Sequence, residues 1–213
     1  MATRLEPYRD YSEHEVINLY SLKVDGADVL TDMKAGTSGK YDAGCVVALG
    51  DTTLPGDLPG FAAAGSNLRK YLGAEITSGH VGVNAMPFVE TTVVPAVDGT
   101  TPAAIGITLK QTLAYDENDE NLLRYPLKKD ELQCVTPGQA VPILTRGLVL
   151  LNASAFETAP AAGDVITVCS TAGTLGLLDK DPGGGEQVVG RCLATGSSDG
   201  GTTTDKFLCK LSF

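Results

Sequence analysis

The sequence predicts a mainly β protein, and three observations carry that expectation. Glycine occurs 25 times in 213 residues, more than helices tolerate. Thr, Val, Gly and Pro dominate the runs between residues 79 and 213, a composition of strands joined by turns. From residue 138 onward, short apolar phrases recur at close spacing, each bounded by Gly, Pro, Asp or Asn. The expected arrangement is an antiparallel β-barrel or sandwich over 136–213. An extended N-terminal arm with a first strand (1–22) and a β-rich, loop-rich lobe (23–135) precede it.

The first segment, "RLEPYRDYSEHEVINLYSL", holds three of the seven tyrosines. Val16 to Leu22 reads as the first core strand. The residues before it read as an arm, since tyrosine offers contact area, a polar tip and little entropy to lose. The apolar content of Tyr8, Tyr11, Val16, Ile17, Leu19, Tyr20 and Leu22 would let this stretch add a strand to a partner's sheet.

In the middle lobe, "YDAGCVVALGD" is an apolar run stopped by Gly50 and Asp51, followed by the turn-rich "TTLPGDLPG". Ser66 and Gly73 bracket "SNLRKYLG" as cap and terminator of a short helical turn. Residues 80–114 are strand-like but broken by Pro87, Pro95 and Pro102, which argues for short or edge strands. Residues 115–135 are the most charged stretch. Pro126 divides them, so any helix there is short and the segment reads as a solvated loop or flap. In the last third, "VPILTRGLVLL", "GDVITVCS", "TLGLLD", "VVGRCLATG" and "KFLCKLSF" read as strands. The final one alternates cleanly, with Phe207, Cys209, Leu211 and Phe213 on one face.

Composition excludes several classes. The chain is 43% hydrophobic, enough to bury a core, so wholesale disorder is not expected. A formal net charge of −10 repels phosphate backbones and disfavours nucleic acid as a partner. No window has the roughly 20 apolar residues that span a bilayer, and the charged start does not resemble a signal peptide. The five cysteines (Cys45, Cys134, Cys169, Cys192, Cys209) are odd in number, widely spaced and set in apolar contexts. They read as buried free thiols in a reducing compartment.

Motifs for chemistry fail on inspection. "KAGTSGKY" has Lys34 where a phosphate loop needs its first glycine, and Tyr41 where it needs a hydroxyl ligand for Mg²⁺. "DENDEN" begins like a calcium loop, but its sixth and twelfth positions hold Asn121 and Leu127. His14 and His80 are far apart and unaccompanied by a cysteine pair, so they read as an arm contact and a strand start. Neither "GTSGK" nor "AAGSNL" forms a nucleophile elbow. The sequon "NAS" at Asn152 means little without a secretory route. The expectation is a non-enzyme with no catalytic, cofactor-binding or metal residues.

The phrases "YRDYSEHEVINLYSL", "IGITLKQTLAYDENDENLLRYP", "GQAVPILTRGLVLL", "GDVITV" and "VVGRCLATGSSDG" resemble the capsid decoration, or cement, proteins of tailed bacteriophages, including virion structural proteins of cyanophages. The resemblance runs over most of the chain. It implies that residues 142–151, 163–164 and 189–191 belong to a compact β-barrel. It implies a homo-oligomer, a trimer, on the outer surface of an icosahedral capsid, made in the host cytoplasm and stabilising the shell by bridging major capsid subunits. The N-terminal segment would touch the major capsid protein through Arg4, Tyr8, Arg9, Tyr11, His14, Ile17 and Tyr20. A competing reading is a tail- or capsid-associated β-sandwich adhesin for host-surface carbohydrate. That would want aromatic platforms, yet the sequence from 136 onward has only Phe156, Phe207 and Phe213.

Overall fold

The computed structural model describes residues 4–22, 35, 41–50, 70–71, 74–75, 92–96, 103–137, 139–171, 176–180, 186–198, 200–201 and 203–213. Its strands are β1 (Leu5–Asp10), β2 (Val16–Leu22), β3 (Val46–Leu49), β4 (Lys70–Tyr71), β5 (Ala74–Glu75), β6 (Thr92–Pro95), β7 (Ala104–Thr108) and β8 (Gln111–Thr112). They continue with β9 (Cys134–Val135), β10 (Ala140–Leu144), β11 (Arg146–Asn152), β12 (Val165–Val168), β13 (Leu178–Lys180), β14 (Val188–Gly196) and β15 (Lys206–Ser212). Among the described residues, a short α-helix, α1 (Pro126–Glu131), carries its proline at the first turn, where the missing N–H has no partner to lose.

Among the described residues two large β structures stand beside two two-stranded sheets, β4-β5 and β8-β9. A closed five-stranded barrel runs β10-β2-β6-β3-β7, and an open six-stranded sheet runs β1-β11-β15-β14-β12-β13. The mainly β class and the small barrel are as the sequence predicts. The barrel's strands differ from the expected set, because only β10 lies after residue 136. The other C-terminal strands, β11 to β15, build the open sheet with β1. Non-local pairing decides this: β2 finds β10 across more than a hundred residues, with Val16 opposite Leu144 and Ser21 opposite Ala140. Pro142, inside β10, falls where that register slips, so its missing N–H breaks no regular ladder.

A bent ribbon joins the two structures. β1 pairs with β11 in the sheet, and their continuations β2 and β10 pair in the barrel. At the bend, the Thr145 backbone N–H and hydroxyl both donate to the Glu15 carbonyl at 2.9 Å. A 3-10 turn at Glu13–Glu15 makes the corner, closed by a reciprocal cap between Ser12 and Glu15.

The hydrophobic interior follows from strand alternation. On β3, Val46 and Ala48 join the larger cluster with Val149, Leu151, Ile166, Val168, Phe207 and Leu211 of the sheet. Cys45 and Val47 point the other way, into a second cluster with Leu22, Val93, Val141 and Ile143. A strand covered on both faces must be apolar throughout, which explains the continuous run "CVVAL". Phe156 and Phe207 meet edge to face at 5.1 Å inside the larger cluster.

Two further expectations are revised. Residues 5–10 do not extend away from the body; they are an edge strand paired with β11, with Leu5 buried in the larger cluster. Of the helical turn expected over 66–73, Lys70–Tyr71 instead pairs with Ala74–Glu75 as a β-hairpin. Residues 66–69 and 72–73 lie outside the described residues, as do His80, Pro87 and Pro102. The last strand behaves as predicted, with Phe207, Cys209 and Leu211 buried and Lys210 and Ser212 exposed.

Candidate functional site

The residues expected to touch a partner divide into two groups. Arg4 is buried: its backbone N–H donates to the Asp42 carboxylate at 3.3 Å and its guanidinium Nη1 to the Gly176 carbonyl at 3.1 Å. Gly176 has φ +70°, and a Cβ there would sit 2.2 Å from the Cys45 sulfur, so only glycine delivers that carbonyl to Arg4. Ile17 pairs with Ile143 and Tyr20 with Val141 inside the barrel wall, both half-buried. These three are structural. Arg9 is intermediate, its Nη1 donating to the Leu109 carbonyl at 3.3 Å and so tying the sheet edge to the barrel.

Tyr8, Tyr11 and His14 remain as contact candidates. Tyr8 is 52% exposed on the edge strand, and His14 is exposed on the corner turn. Tyr11 packs against the larger cluster and separates two open grooves. One, of about 420 Å³, is lined by Tyr11, Glu15, Arg146, Leu148, Leu193 and Lys210 among others. The second, of about 320 Å³, is lined by Arg9, Tyr11, Val16, Leu109, Lys110 and Pro142 among others. Leu193 reaches the first groove because β14 bulges after Cys192, turning an apolar side chain outward. A Cβ on Gly147 would come within 2.8 Å of the Tyr11 Cβ, so the bare backbone there lets Tyr11 sit against β11.

β2 pairs with β10 along its length and with β6 only at Ser21 and Leu22. Among the described residues β1 pairs on one side only, with β11, and Pro7 and a register slip between Leu5 and Arg9 interrupt it.

The charged segment carries a second surface that the sequence reading missed. Leu123 and Leu127 are 68% and 80% exposed, and Tyr125 between them is 44% exposed. Three large apolar side chains are thus exposed within five residues of a segment that is otherwise charged. The segment that bears them is anchored. Leu122 is buried with Ala35, Leu113 and Cys134. The Asp116 carboxylate accepts from the backbone N–H groups of Asn118 and Glu120 at 2.9 and 2.8 Å, and from Lys128 Nζ at 2.7 Å. Lys128 also bonds Glu120 and lies 5.5 Å from the Tyr125 ring centre.

The calcium-like "DENDEN" thus folds around the protein's own ammonium group. Its hydrogen bond holds the Asp116 carboxyl below the usual carboxylate range, and the two carboxylates hold the Lys128 amine well above its ordinary value. Among the described residues, no group of three or more His, Cys, Asp or Glu is arranged to hold a metal ion. The signal for the exposed cluster was present in "NLLRYPL", where one leucine of an adjacent pair must face outward at a non-repeating turn.

Asn152 of the sequon has a structural task. Its side-chain oxygen accepts from the Ser154 N–H at 3.2 Å and its amide donates to Glu6 at 3.4 Å, while Lys206 lies 3.6 Å from Glu6. Together they stitch β1, β11 and β15. Comparison of the chain with protein-family models, with curated proteins and with solved structures returns no match.

Proposed function

We propose that this chain is a structural virion protein that binds the outer surface of a tailed-phage capsid and stabilises the shell by bridging major capsid subunits. The observation that carries the reading is the apolar group Leu123, Tyr125 and Leu127, held outward on an anchored turn. A rigid β body presenting aromatic and aliphatic side chains suits docking, because little side-chain and loop entropy is lost on contact. Tyr8, Tyr11 and His14 at the sheet–barrel corner supply a second contact, so one copy reaches two neighbouring subunits. The resemblance of the strand and turn phrases to decoration proteins supports the same reading.

A shell packed with DNA is pushed outward, and a clamp repeated over every symmetric position resists by avidity even where each contact is modest. The net charge of −10 keeps the molecule away from the packaged nucleic acid. We propose a homotrimer, since closed symmetric self-association multiplies the contacts each particle makes. The test is co-sedimentation with shells assembled from the major capsid protein of the same phage. The double substitution Leu123→Ser, Leu127→Ser is expected to weaken binding by about tenfold or more while leaving the fold unchanged. Unaltered binding by the double variant would remove this surface from the proposal.

A further inference from the structure

We propose that Cys192 and Cys209 are a modification site, joined as a cross-strand disulfide when the protein meets an organic disulfide oxidant such as oxidised glutathione. The two residues stand directly opposite each other on the antiparallel strands β14 and β15. The ladder's phase is fixed by the backbone of Cys192. Its N–H donates to the Asp164 carbonyl at 2.9 Å and its carbonyl accepts from the Gly163 N–H at 2.8 Å. Both groups therefore point away from β15, toward the start of β12. That makes Cys192 and Cys209 a non-hydrogen-bonded pair, the closer of the two antiparallel arrangements, with Cα atoms about 4.5 Å apart. This separation lies at the short end of the range that a disulfide spans.

Both cysteines are fully buried and free, and each thiol donates to a backbone carbonyl of its own strand, Cys192 to Ala194 at 3.5 Å and Cys209 to Phe207 at 3.6 Å. Burial raises both thiols. In the exchange, the Cys192 thiolate attacks one sulfur of glutathione disulfide. This forms a mixed disulfide and expels one glutathione thiolate. The Cys209 sulfur, losing its proton to solvent, then attacks the Cys192 sulfur and expels the second glutathione. The protein dithiol is oxidised by two electrons, and one glutathione disulfide becomes two thiols. The bond staples β14 to β15 beside Leu193, whose bulge forms one wall of the Tyr11 groove.

Burial slows the reaction in the folded protein, so the test lets the fold choose the pairing. The full chain is unfolded, then refolded in a buffer of reduced and oxidised glutathione, and alkylated. Intact mass and the digest are then read without reduction. The expected result is a loss of about 2 Da, the two thiol hydrogens, and a cross-linked peptide containing Cys192 and Cys209. The mass loss is expected to vanish in Cys192→Ser and Cys209→Ser and to persist in Cys134→Ser. Circular dichroism of each refolded variant verifies that the sheet has formed. A folded protein with both thiols alkylated, or cross-linked through any other pair, would overturn the proposal.

Discussion

Asp42 is an acidic residue in a buried setting. Burial pushes its carboxyl up to about 6 from an ordinary 3.8, against backbone hydrogen bonds from Ala43 and Arg4 and the Arg4 charge. The folded state therefore holds the proton more tightly than the unfolded chain. The stability this contributes is complete below the ordinary value and is lost as pH rises through about 6, by roughly 3 kcal/mol at most. Melting curves from about pH 5 to about pH 7.5 are expected to fall more steeply for the wild type than for Asp42→Asn, and parallel slopes would contradict this assignment. Leu5→Ala is expected to cost about 2–5 kcal/mol in denaturant unfolding, as for a core leucine. A surface-like cost below about 0.5 kcal/mol would mean that β1 is not docked.

At the scale of elements, the anchored turn and the edge strand make separate predictions. Lys128→Met removes the cation around which Asp116 and Glu120 are arranged. Amides of Asn118 and Glu120 are expected to exchange faster with solvent while those of β15 keep their protection. Unchanged exchange at Asn118 and Glu120 would show that the turn stands without Lys128. Deleting residues 1–12 is expected to lower the melting temperature markedly, because it strips a paired strand and the buried Leu5 from the sheet. A truncated protein as stable as the full chain would restore the view of this segment as a free arm.

These elements also explain how much the sequence revealed. β15 was legible because one face is buried and one is wet, which writes a period of two into the residues. β2 was found with its observed bounds, and β3 falls within the apolar run that ends at Gly50 and Asp51. Which strands form the barrel was not legible, since its closure depends on pairings between strands far apart in sequence, such as β2 with β10 and β3 with β7. Nor does local pattern distinguish the buried Leu122 from the exposed Leu123. The opposition of Cys192 and Cys209 depends on a register that no spacing along the chain encodes. At the corner, tyrosine content does not separate the exposed Tyr8 from Tyr11 and Tyr20, which lie half-buried against the two clusters.

For the molecule as a whole, a bent ribbon welds barrel to sheet. Light scattering over a dilution series is expected to give a constant mass of three chains, and a monomer at every concentration would remove the trimer from the account. The most direct test of the central claim is a titration of the protein onto undecorated shells built from the major capsid protein of the same phage. Bound protein per shell would be measured by sedimentation. Saturation at a fixed, symmetry-related number of copies on the outer surface, with shells that resist heating better than bare ones, is the predicted result. Absence of saturable binding by the folded protein would contradict the assignment to the capsid.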